Sequence, residues 1–288
     1  MLNVRKILLP VDFPKTSLRV VHQAATLARH LHAEIVMLHV VTMVSQAAGV
    51  PKDGPELARW DLLAEIIRDA RENRDDSLGL ELEGLNIRRL LVKGETAEAI
   101  LQTAEQEKAD LIMMPSYGNT FDQFLVGSVT PKLLQAIACP VWTDAHVEDS
   151  PAQKFAIRNV LCAVDFRPHS HTSALWAEQI ASEFGARLTL AHVTASVEFW
   201  GPGGRYVNQE WKAALVADAS QHMGELQQKT GIKADNFIGS GNVPKVLSEA
   251  AKQTKADLLV TGCQPYGGYL RTHGYTIISA MQIPVVSV

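Results

Sequence analysis

Cysteine is scarce in this sequence, with three residues in a chain of 288. The number is odd, and the spacing of Cys139, Cys162 and Cys263 matches no arrangement that ligates a metal. Each cysteine stands beside apolar residues in or next to a predicted strand. These features argue against a disulfide framework and predict buried free thiols in a reducing compartment.

The sequence also lacks an excess of positive charge and a long apolar run. Its formal net charge is −4, so a nucleic-acid partner is not expected. The apolar run within MLNVRKILLPVDF is too short for a signal peptide or a membrane span. No later segment reaches the roughly 18 apolar residues that a span needs. We therefore expect a cytoplasmic protein with no membrane partner.

Signatures of catalysis are missing as well: there is no Ser-His-Asp order, no P-loop and no cluster of metal ligands. Ser128 has no evident base beside it, and His169 and His171 have no third ligand at a suitable spacing. His39 and His192 lie inside predicted strands, where we expect core histidines held by backbone hydrogen bonds. The sequence favours a binding protein without catalytic or metal-binding residues.

What the sequence does contain is an internal repeat. At an offset of 147 residues, Ala109-Asp110-Leu111-Ile112 becomes Ala256-Asp257-Leu258-Leu259, and Gly127 becomes Gly274. At an offset of 153 residues, Asp12 becomes Asp165 and His39 becomes His192. We interpret the chain as a tandem duplication. The polar, proline-containing segment HVEDSPAQKF places a linker at 147–155, between a first domain at 1–146 and a second at 156–288.

Apolar runs alternate with helical patterns in both copies, which predicts an α/β fold. The predicted strands of the first copy are Lys6–Val11, Ile35–Val41, Ile87–Val92, Leu111–Met114 and Val141–Thr143. Such near-continuous apolar strands are typical of a parallel sheet buried on both faces. We expect two tandem doubly wound domains, each with a five-stranded, mainly parallel sheet flanked by helices. Asp12 and Gly118 both follow predicted strand ends, so we expect them to meet at one crevice.

The second copy predicts the same course. Its first helix is expected from about Thr172 to Phe184, with Gly185 as the C-cap. A loop is expected from Thr194 to Asn208, in which Phe199 and Trp200 leave a lid or contact role open.

The segment Lys108–Val141 predicts a buried strand, a loop with Gly118, a turn at Gly127-Ser128 and a helix from Val129 to Ile137. Unpaired amides at a helix start can hold an anion such as a phosphate. The alternative is that the glycines only turn the chain between strand and helix, and both interpretations stay open.

The last strand of each copy leaves unpaired backbone groups at a sheet edge. Antiparallel pairing of Val141–Thr143 with Val285–Val288 would cover both edges and create an internal pseudo-dimer. Further homodimerisation is left open.

Both halves resemble the universal stress protein family, and the whole chain resembles its tandem type. The residues that carry the resemblance in the first half are Ile7-Leu8-Leu9-Pro10-Val11-Asp12-Phe13, Leu38-His39-Val40, Gly94 with Ala97-Glu98-Ala99-Ile100, Ala109-Asp110-Leu111-Ile112, and Gly127-Ser128-Val129 with Cys139-Pro140-Val141. In the second half they are Val164-Asp165-Phe166, His192-Val193, Ala256-Asp257-Leu258-Leu259 with Gly262, and Pro284-Val285-Val286.

The resemblance implies parallel α/β domains, a cytoplasmic location, dimer-like association and, as in many members, binding of ATP or another adenine nucleotide. It implies that Gly118, Gly127, Ser128 and Val129 surround the phosphates, and that Asp12 and Val40 contact the adenosine part. The equivalents in the second domain are Asp165, Val193, Gly262 and Gly274.

The ATP-binding members of the family carry the pattern Gly, two residues, Gly, nine residues, Gly and then Ser or Thr. The sequence departs from this glycine pattern in both halves. Pro115 replaces the first glycine of the first half, and Pro265 replaces the second glycine of the second half. Proline has no N–H, so each replacement removes a donor. Tyr275 also follows Gly274 where the pattern has a small hydroxyl residue.

The resulting hypothesis is a cytoplasmic stress-response protein that binds an adenine nucleotide and acts as a sensor or regulator through an unknown protein partner. One alternative is a scaffold whose sites have decayed and which works through protein contacts alone. The other is a weak ATP hydrolase.

Overall fold

The computed structural model describes residues 2–11, 18–41, 82–115, 129–136, 138–144, 155–196, 198–201, 204–262 and 269–288. The chain divides into two compact units, one spanning Asn3–Phe155 and the other containing Ala156–Val288. We describe them as the first and the second domain.

The first domain contains five strands and three helices in its described part. In chain order these are β1 (Lys6–Pro10), α1 (Leu18–Leu31), β2 (Glu34–Val41), β3 (Ile87–Lys93), α2 (Thr96–Glu107), β4 (Leu111–Pro115), α3 (Val129–Ala136) and β5 (Val141–Asp144). The strands pair in the order β3-β2-β1-β4-β5, and every pairing is parallel.

The second domain repeats this plan. Its elements are β6 (Asn159–Ala163), α4 (His169–Phe184), β7 (Arg187–Thr194), β8 (Glu198–Gly201), β9 (Gly204–Val207), α5 (Gln209–Thr230), β10 (Asp235–Ser240), α6 (Val243–Thr254), β11 (Leu258–Thr261), α7 (Tyr269–Ala280) and β12 (Val285–Ser287). Five of its strands form a parallel sheet in the order β10-β7-β6-β11-β12. The two domains therefore share one topology, as the internal repeat predicted.

One predicted loop was wrong. The segment from Thr194 to Asn208 contains an antiparallel hairpin, β8–β9, in which Gly201 pairs with Gly204. The hairpin belongs to a two-stranded sheet of its own. A proline and a glycine follow Gly201 in the sequence, and this is a common turn dipeptide.

The central strands are apolar because both of their faces are covered. Ile7, Leu8 and Leu9 of β1 are at most 2% exposed, and Leu161 and Cys162 of β6 are fully buried. Helices pack on these strands and exclude water from them, which is the arrangement that favours continuous apolar runs in parallel sheets. The prediction of a sheet buried on both faces is confirmed.

Two helix starts and one helix end can be compared with the predicted positions. Helix α4 begins at His169, three residues before the predicted Thr172, and α3 begins at Val129 as predicted. Gly185 ends α4 in the left-handed conformation, with φ 63° and ψ 29°, and its N–H donates to Ala181 O and Ser182 O. The predicted C-cap is therefore confirmed.

The repeated Ala-Asp pair has a structural role in both domains. Asp110 Oδ2 accepts hydrogen bonds from the backbone N–H groups of Arg5 and Lys6, both at 2.9 Å. Asp257 Oδ2 accepts from Arg158 at 2.8 Å and Asn159 at 2.9 Å. Each carboxylate thus ties the start of the domain's first strand to the turn before its fourth strand.

A buried polar chain joins α1 to β5 in the first domain. Trp142 Nε1 donates to Gln23 Oε1 at 2.8 Å, and Gln23 Nε2 donates to Asp144 Oδ2 at 2.5 Å. Arg19 Nε lies 2.8 Å from the same carboxylate oxygen. Gln23, Trp142 and Asp144 are each at most 2% exposed, so these polar groups depend on one another for hydrogen bonds.

The two thiols that the structure describes are protonated near neutral pH. Burial raises the pKa of Cys139 to about 11 and that of Cys162 to about 12. Both are free cysteines, with Cys162 buried and Cys139 half-buried, while Cys263 lies outside the described residues.

No helix in the described part of the chain is long and apolar enough to cross a membrane.

Candidate functional site

Each domain has a crevice position defined by its strand order. In the first domain β1 lies between β2 and β4, so the connection that follows β1 runs to one side, toward β2, and the connection that follows β4 runs to the other side, toward β5. In the second domain β6 lies in the same way between β7 and β11. Ligands of open α/β sheets bind at such a reversal of strand order, outside the carboxyl ends of the strands.

Most predicted site residues of the first domain lie outside the described residues: Asp12, Gly118, Gly127 and Ser128. The described elements nevertheless fix where their segments begin and end. The segment with Asp12 follows β1, and the segment with both glycines follows β4 and leads into α3. Because β1 and β4 are parallel neighbours, both segments leave the same edge of the sheet.

The two described site residues of this domain have clear positions. Val129 is the first residue of α3, where backbone amides lack intrahelical partners. Val40 lies near the carboxyl end of β2, opposite Val92 of β3. Next to it, His39 Nδ1 lies 3.1 Å from Val11 O, so it donates to that carbonyl. The expected backbone-bonded histidine is confirmed, and it anchors the chain one residue before Asp12.

In the second domain the carboxylate of Asp165 is described, and it is engaged by its own chain. Its Oδ1 accepts from Ser170 Oγ at 2.8 Å and from the Arg167 N–H at 3.1 Å. His169 Nε2 lies 3.4 Å from the same oxygen. Arg167 Nε lies 3.7 Å from Oδ2. The side chain of Asp165 is 17% exposed, so little of it faces solvent.

Gly262 and Asp165 are brought together through His169. A β-carbon built on Gly262 would lie only 2.8 Å from His169 Cδ2, so the imidazole packs directly on the glycine backbone. Any larger residue at this position would have to displace the ring. The side chain of His169 is 14% exposed. In the second domain, the residues after β6 and β11 therefore meet at His169, whereas the predicted meeting of Asp12 and Gly118 in the first domain lies outside the described residues.

An aromatic cluster lies beside this contact. The ring of Phe166 stacks on His192 with centroids 4.2 Å apart and on His222 with centroids 5.4 Å apart. Phe166 has φ 61°, a left-handed conformation that costs a residue with a side chain roughly 1–2 kcal/mol. A bulky residue is therefore held in a strained conformation at the carboxyl end of β6.

His192 confirms the second predicted backbone-bonded histidine. Its Nδ1 donates to Val164 O at 2.8 Å. Burial lowers the pKa of the His192 imidazole, although the Val164 carbonyl and the nearby Asp165 oppose the shift. The imidazole is therefore neutral at pH 7, and its Nε2 atom carries a lone pair.

Two further predicted residues of the second domain have different surroundings. Val193 is a half-buried residue of β7 opposite Gly239. Gly274, which the resemblance implies as the equivalent of Gly127, lies inside α7, five residues after its start at Tyr269. Its amide is past the first four helical positions, so it is not one of the unpaired helix-start donors. Gly127, in contrast, comes two residues before the first residue of α3 in the sequence.

The sequence alone assigned no role in this crevice to three side chains that shape it: Phe166, His169 and His222. His169 was considered only as half of a metal-binding pair. In the described residues no group of three or more potential ligands is placed to hold a metal ion. The available signal for His169 was its position four residues after Asp165, next to the predicted start of the second domain's first helix.

These features define a class: α/β proteins built from two doubly wound domains, each with a crevice at the carboxyl ends of its strands. The universal stress protein family model matches residues 3–143 and 156–278. The chain therefore belongs to the universal stress protein family, with two such domains in tandem.

Individual relatives match one domain at a time. Universal stress protein MJ0531 of Methanocaldococcus jannaschii is 31% identical over 140 residues, which cover 48% of this chain and 79% of that protein. Universal stress protein YxiE of Bacillus subtilis is 28% identical over 147 residues, which cover 47% of this chain and 95% of that protein.

Solved structures match the whole chain. A universal stress protein from Archaeoglobus fulgidus has a TM-score of 0.65 at 21% identity, covering 98% of this chain and 95% of its own. A protein of unknown function, PA1789, from Pseudomonas aeruginosa has a TM-score of 0.69 at 15% identity, covering 99% and 92%. At these identities the likeness shows the fold alone.

Proposed function

We propose that this universal stress protein binds an adenine nucleotide such as ATP in the crevice of its first domain. The observation that carries the proposal is the start of α3 at Val129, directly after Gly127-Ser128, in the segment that follows β4. A helix start preceded by a glycine loop offers unpaired amides and a positive dipole end to phosphates. Asp12 follows the neighbouring strand β1, where a carboxylate can accept hydrogen bonds from nucleoside hydroxyls.

Each residue has a distinct part in this proposal. Gly118 and Gly127 let the backbone approach the phosphates, and Ser128 with Val129 supplies helix-start amides. Val40 borders the adenosine part. Pro115 removes one donor from the loop, which weakens the phosphate contacts relative to a loop with glycine there.

We propose a sensor or regulator as the biological role, in the cytoplasm and with a protein partner. Nucleotide contacts would order the glycine loop and change the surface that is offered to that partner. The size of the response is set by the difference in nucleotide affinity between the ordered and the open conformation. Pairing of the last strands into an internal pseudo-dimer stays a prediction from the sequence.

Equilibrium dialysis of the full chain against ATP, AMP and cyclic AMP tests the proposal. We expect uptake of at least one of them below millimolar concentration, and a loss of about tenfold or more in affinity for Gly127→Val. The matched control is Gly274→Val, because Gly274 lies inside a helix with nothing within 4 Å of a built β-carbon. Absence of uptake at millimolar ligand contradicts the proposal.

A second candidate is a scaffold that works through protein contacts alone, and the second domain favours it. Its Asp165 is engaged by its own chain and its Gly262 is covered by His169. Hydrolysis is the remaining alternative. It predicts phosphate release that persists through purification and disappears in Asp12→Ala, whereas a binding protein releases none.

A further inference from the structure

The two domains carry equivalent crevices, but the second crevice contains an imidazole where a ligand would have to enter. His169 lies over the backbone of Gly262, at the carboxyl end of β11, and reaches to 3.4 Å from Asp165 Oδ1. Asp165 follows β6, the parallel neighbour of β11. One side chain therefore spans the reversal point of the strand order, where ligands of such sheets bind.

The carboxylate of Asp165 is closed off from a ligand. Its Oδ1 already accepts from Ser170 and Arg167. Its Oδ2 has no hydrogen-bond partner among the described residues, but it is buried, and the Arg167 guanidinium lies 3.7 Å away. A nucleoside hydroxyl would therefore have to displace a donor from Oδ1 or move the groups that bury Oδ2.

The imidazole itself is held in place by packing. Its Cδ2 lies where a β-carbon on residue 262 would collide with it, and Ser173 Oγ of the same helix lies on the same side. Gly262 therefore accommodates the ring, which gives this glycine a structural purpose that does not involve a phosphate.

The sequence shows that this imidazole is particular to the second domain. At the offset of 153 residues that relates Asp12 to Asp165, His169 corresponds to Thr16. At the offset of 147 residues, Gly262 corresponds to Pro115. The first domain has neither the ring nor the glycine that makes room for it.

We propose that His169 closes the crevice of the second domain, so that the chain takes up one nucleotide, in its first domain. This inference rests on the proposed function. The second domain keeps the fold of the first, and the side chain of His169 accounts for the difference in nucleotide uptake.

Calorimetric titration of the full chain with ATP counts the sites. We expect one nucleotide per chain. Thr16→His combined with Pro115→Gly transfers both the ring and the glycine that makes room for it to the first domain, and should weaken that site by about tenfold or more relative to Pro115→Gly alone. The matched variant His169→Thr should keep the first site and add a second, weaker one. Thermal melting of each variant checks that it is folded.

Two nucleotides on the unmodified chain would overturn the inference while leaving the proposed function intact. A count that stays at one in His169→Thr would overturn the role of His169. No uptake at all would contradict the proposed function and the count with it.

A measurement without nucleotide tests the closure separately. Diethyl pyrocarbonate modifies accessible histidines, and the modified residues can be located by mass spectrometry. His171, two residues along the same helix, is exposed and serves as the internal reference. We expect slow modification of His169 relative to His171; equal rates would contradict a closed crevice.

Discussion

His192 Nδ1 donates to the carbonyl oxygen of Val164 at 2.8 Å, and the bond joins the carboxyl ends of two neighbouring strands of the second domain. His39 and Val11 repeat the contact in the first domain at 3.1 Å. In each domain the bond fixes the backbone one residue before an aspartate, and so it fixes where the crevice begins.

The buried histidine predicts how stability depends on pH. Burial lowers the pKa of folded His192 below its ordinary value of 6.5, whereas the unfolded chain takes up this proton near that value. The unfolded state therefore binds more protons in mild acid, and the free energy of unfolding falls as the pH drops below about 6.5. The side chains of His222, Asp218 and Asp165 are the titratable groups near the ring.

Urea denaturation at pH values of about 7.5 and 5.5 measures this effect. His192→Gln, which keeps a donor for Val164, should lose less stability over this interval than the unmodified protein. The control His171→Gln changes an exposed histidine and should leave the difference unchanged. If His192→Gln lost as much stability between these two pH values as the unmodified protein, His192 would not be the source of the acid dependence.

The carboxylates that hold the first strands predict a second effect. Asp110→Ala leaves the N–H groups of Arg5 and Lys6 without their acceptor, so we expect the unfolding free energy to fall by about 1–2 kcal/mol. Asp110→Asn keeps one oxygen that can accept and should lose less. Equal losses for Ala and Asn would mean that charge, and not the hydrogen bonds, accounts for the effect.

The buried chain of the first domain predicts a larger loss. Gln23→Leu removes the partner of the Trp142 N–H and one donor to Asp144, both within a site that excludes water. We expect a loss of about 2–3 kcal/mol in urea denaturation. Gln102→Leu is the control, because Gln102 is exposed and donates to exposed Glu98 on the helix surface, and it should change stability by less than about 0.5 kcal/mol.

Two glycines predict changes of opposite sign on replacement by alanine. Gly185 has φ 63° at the end of α4, so Gly185→Ala should destabilise by about 1 kcal/mol. Gly224 lies inside α5 with nothing within 4 Å of a built β-carbon, so Gly224→Ala should stabilise by about 0.5–1 kcal/mol. Thermal or urea denaturation of both variants settles the signs, and a shared sign would contradict the assigned conformations.

The repeat and the apolar runs were sufficient to predict the fold. An apolar run such as Ile7-Leu8-Leu9 predicts a strand from neighbouring residues alone. The internal repeat then predicts the same element a second time, in the other domain. The cap at Gly185 and the bonds of the two strand histidines follow from local chemistry in the same way.

The side-chain arrangement of the crevice could not be predicted in this way. The contact between His169 and Gly262 joins residues that are far apart in sequence, so it depends on which strands are neighbours. The bonds from Asp110 to the first strand depend on the same neighbours. The hairpin β8–β9 was missed for another reason: its glycine-rich turn dominated the pattern, although Phe199 and Trp200 on one side and Tyr206 on the other are typical strand residues.

The central claim is that the first domain holds a nucleotide between the segment after β1 and the start of α3. A crystal structure of the full chain grown with a millimolar ATP analogue tests it most directly. The account predicts the phosphates at the amides around Val129, the nucleoside at Asp12, and no nucleotide beside His169. An empty first crevice, or a nucleotide bound only at Asp165, would contradict it.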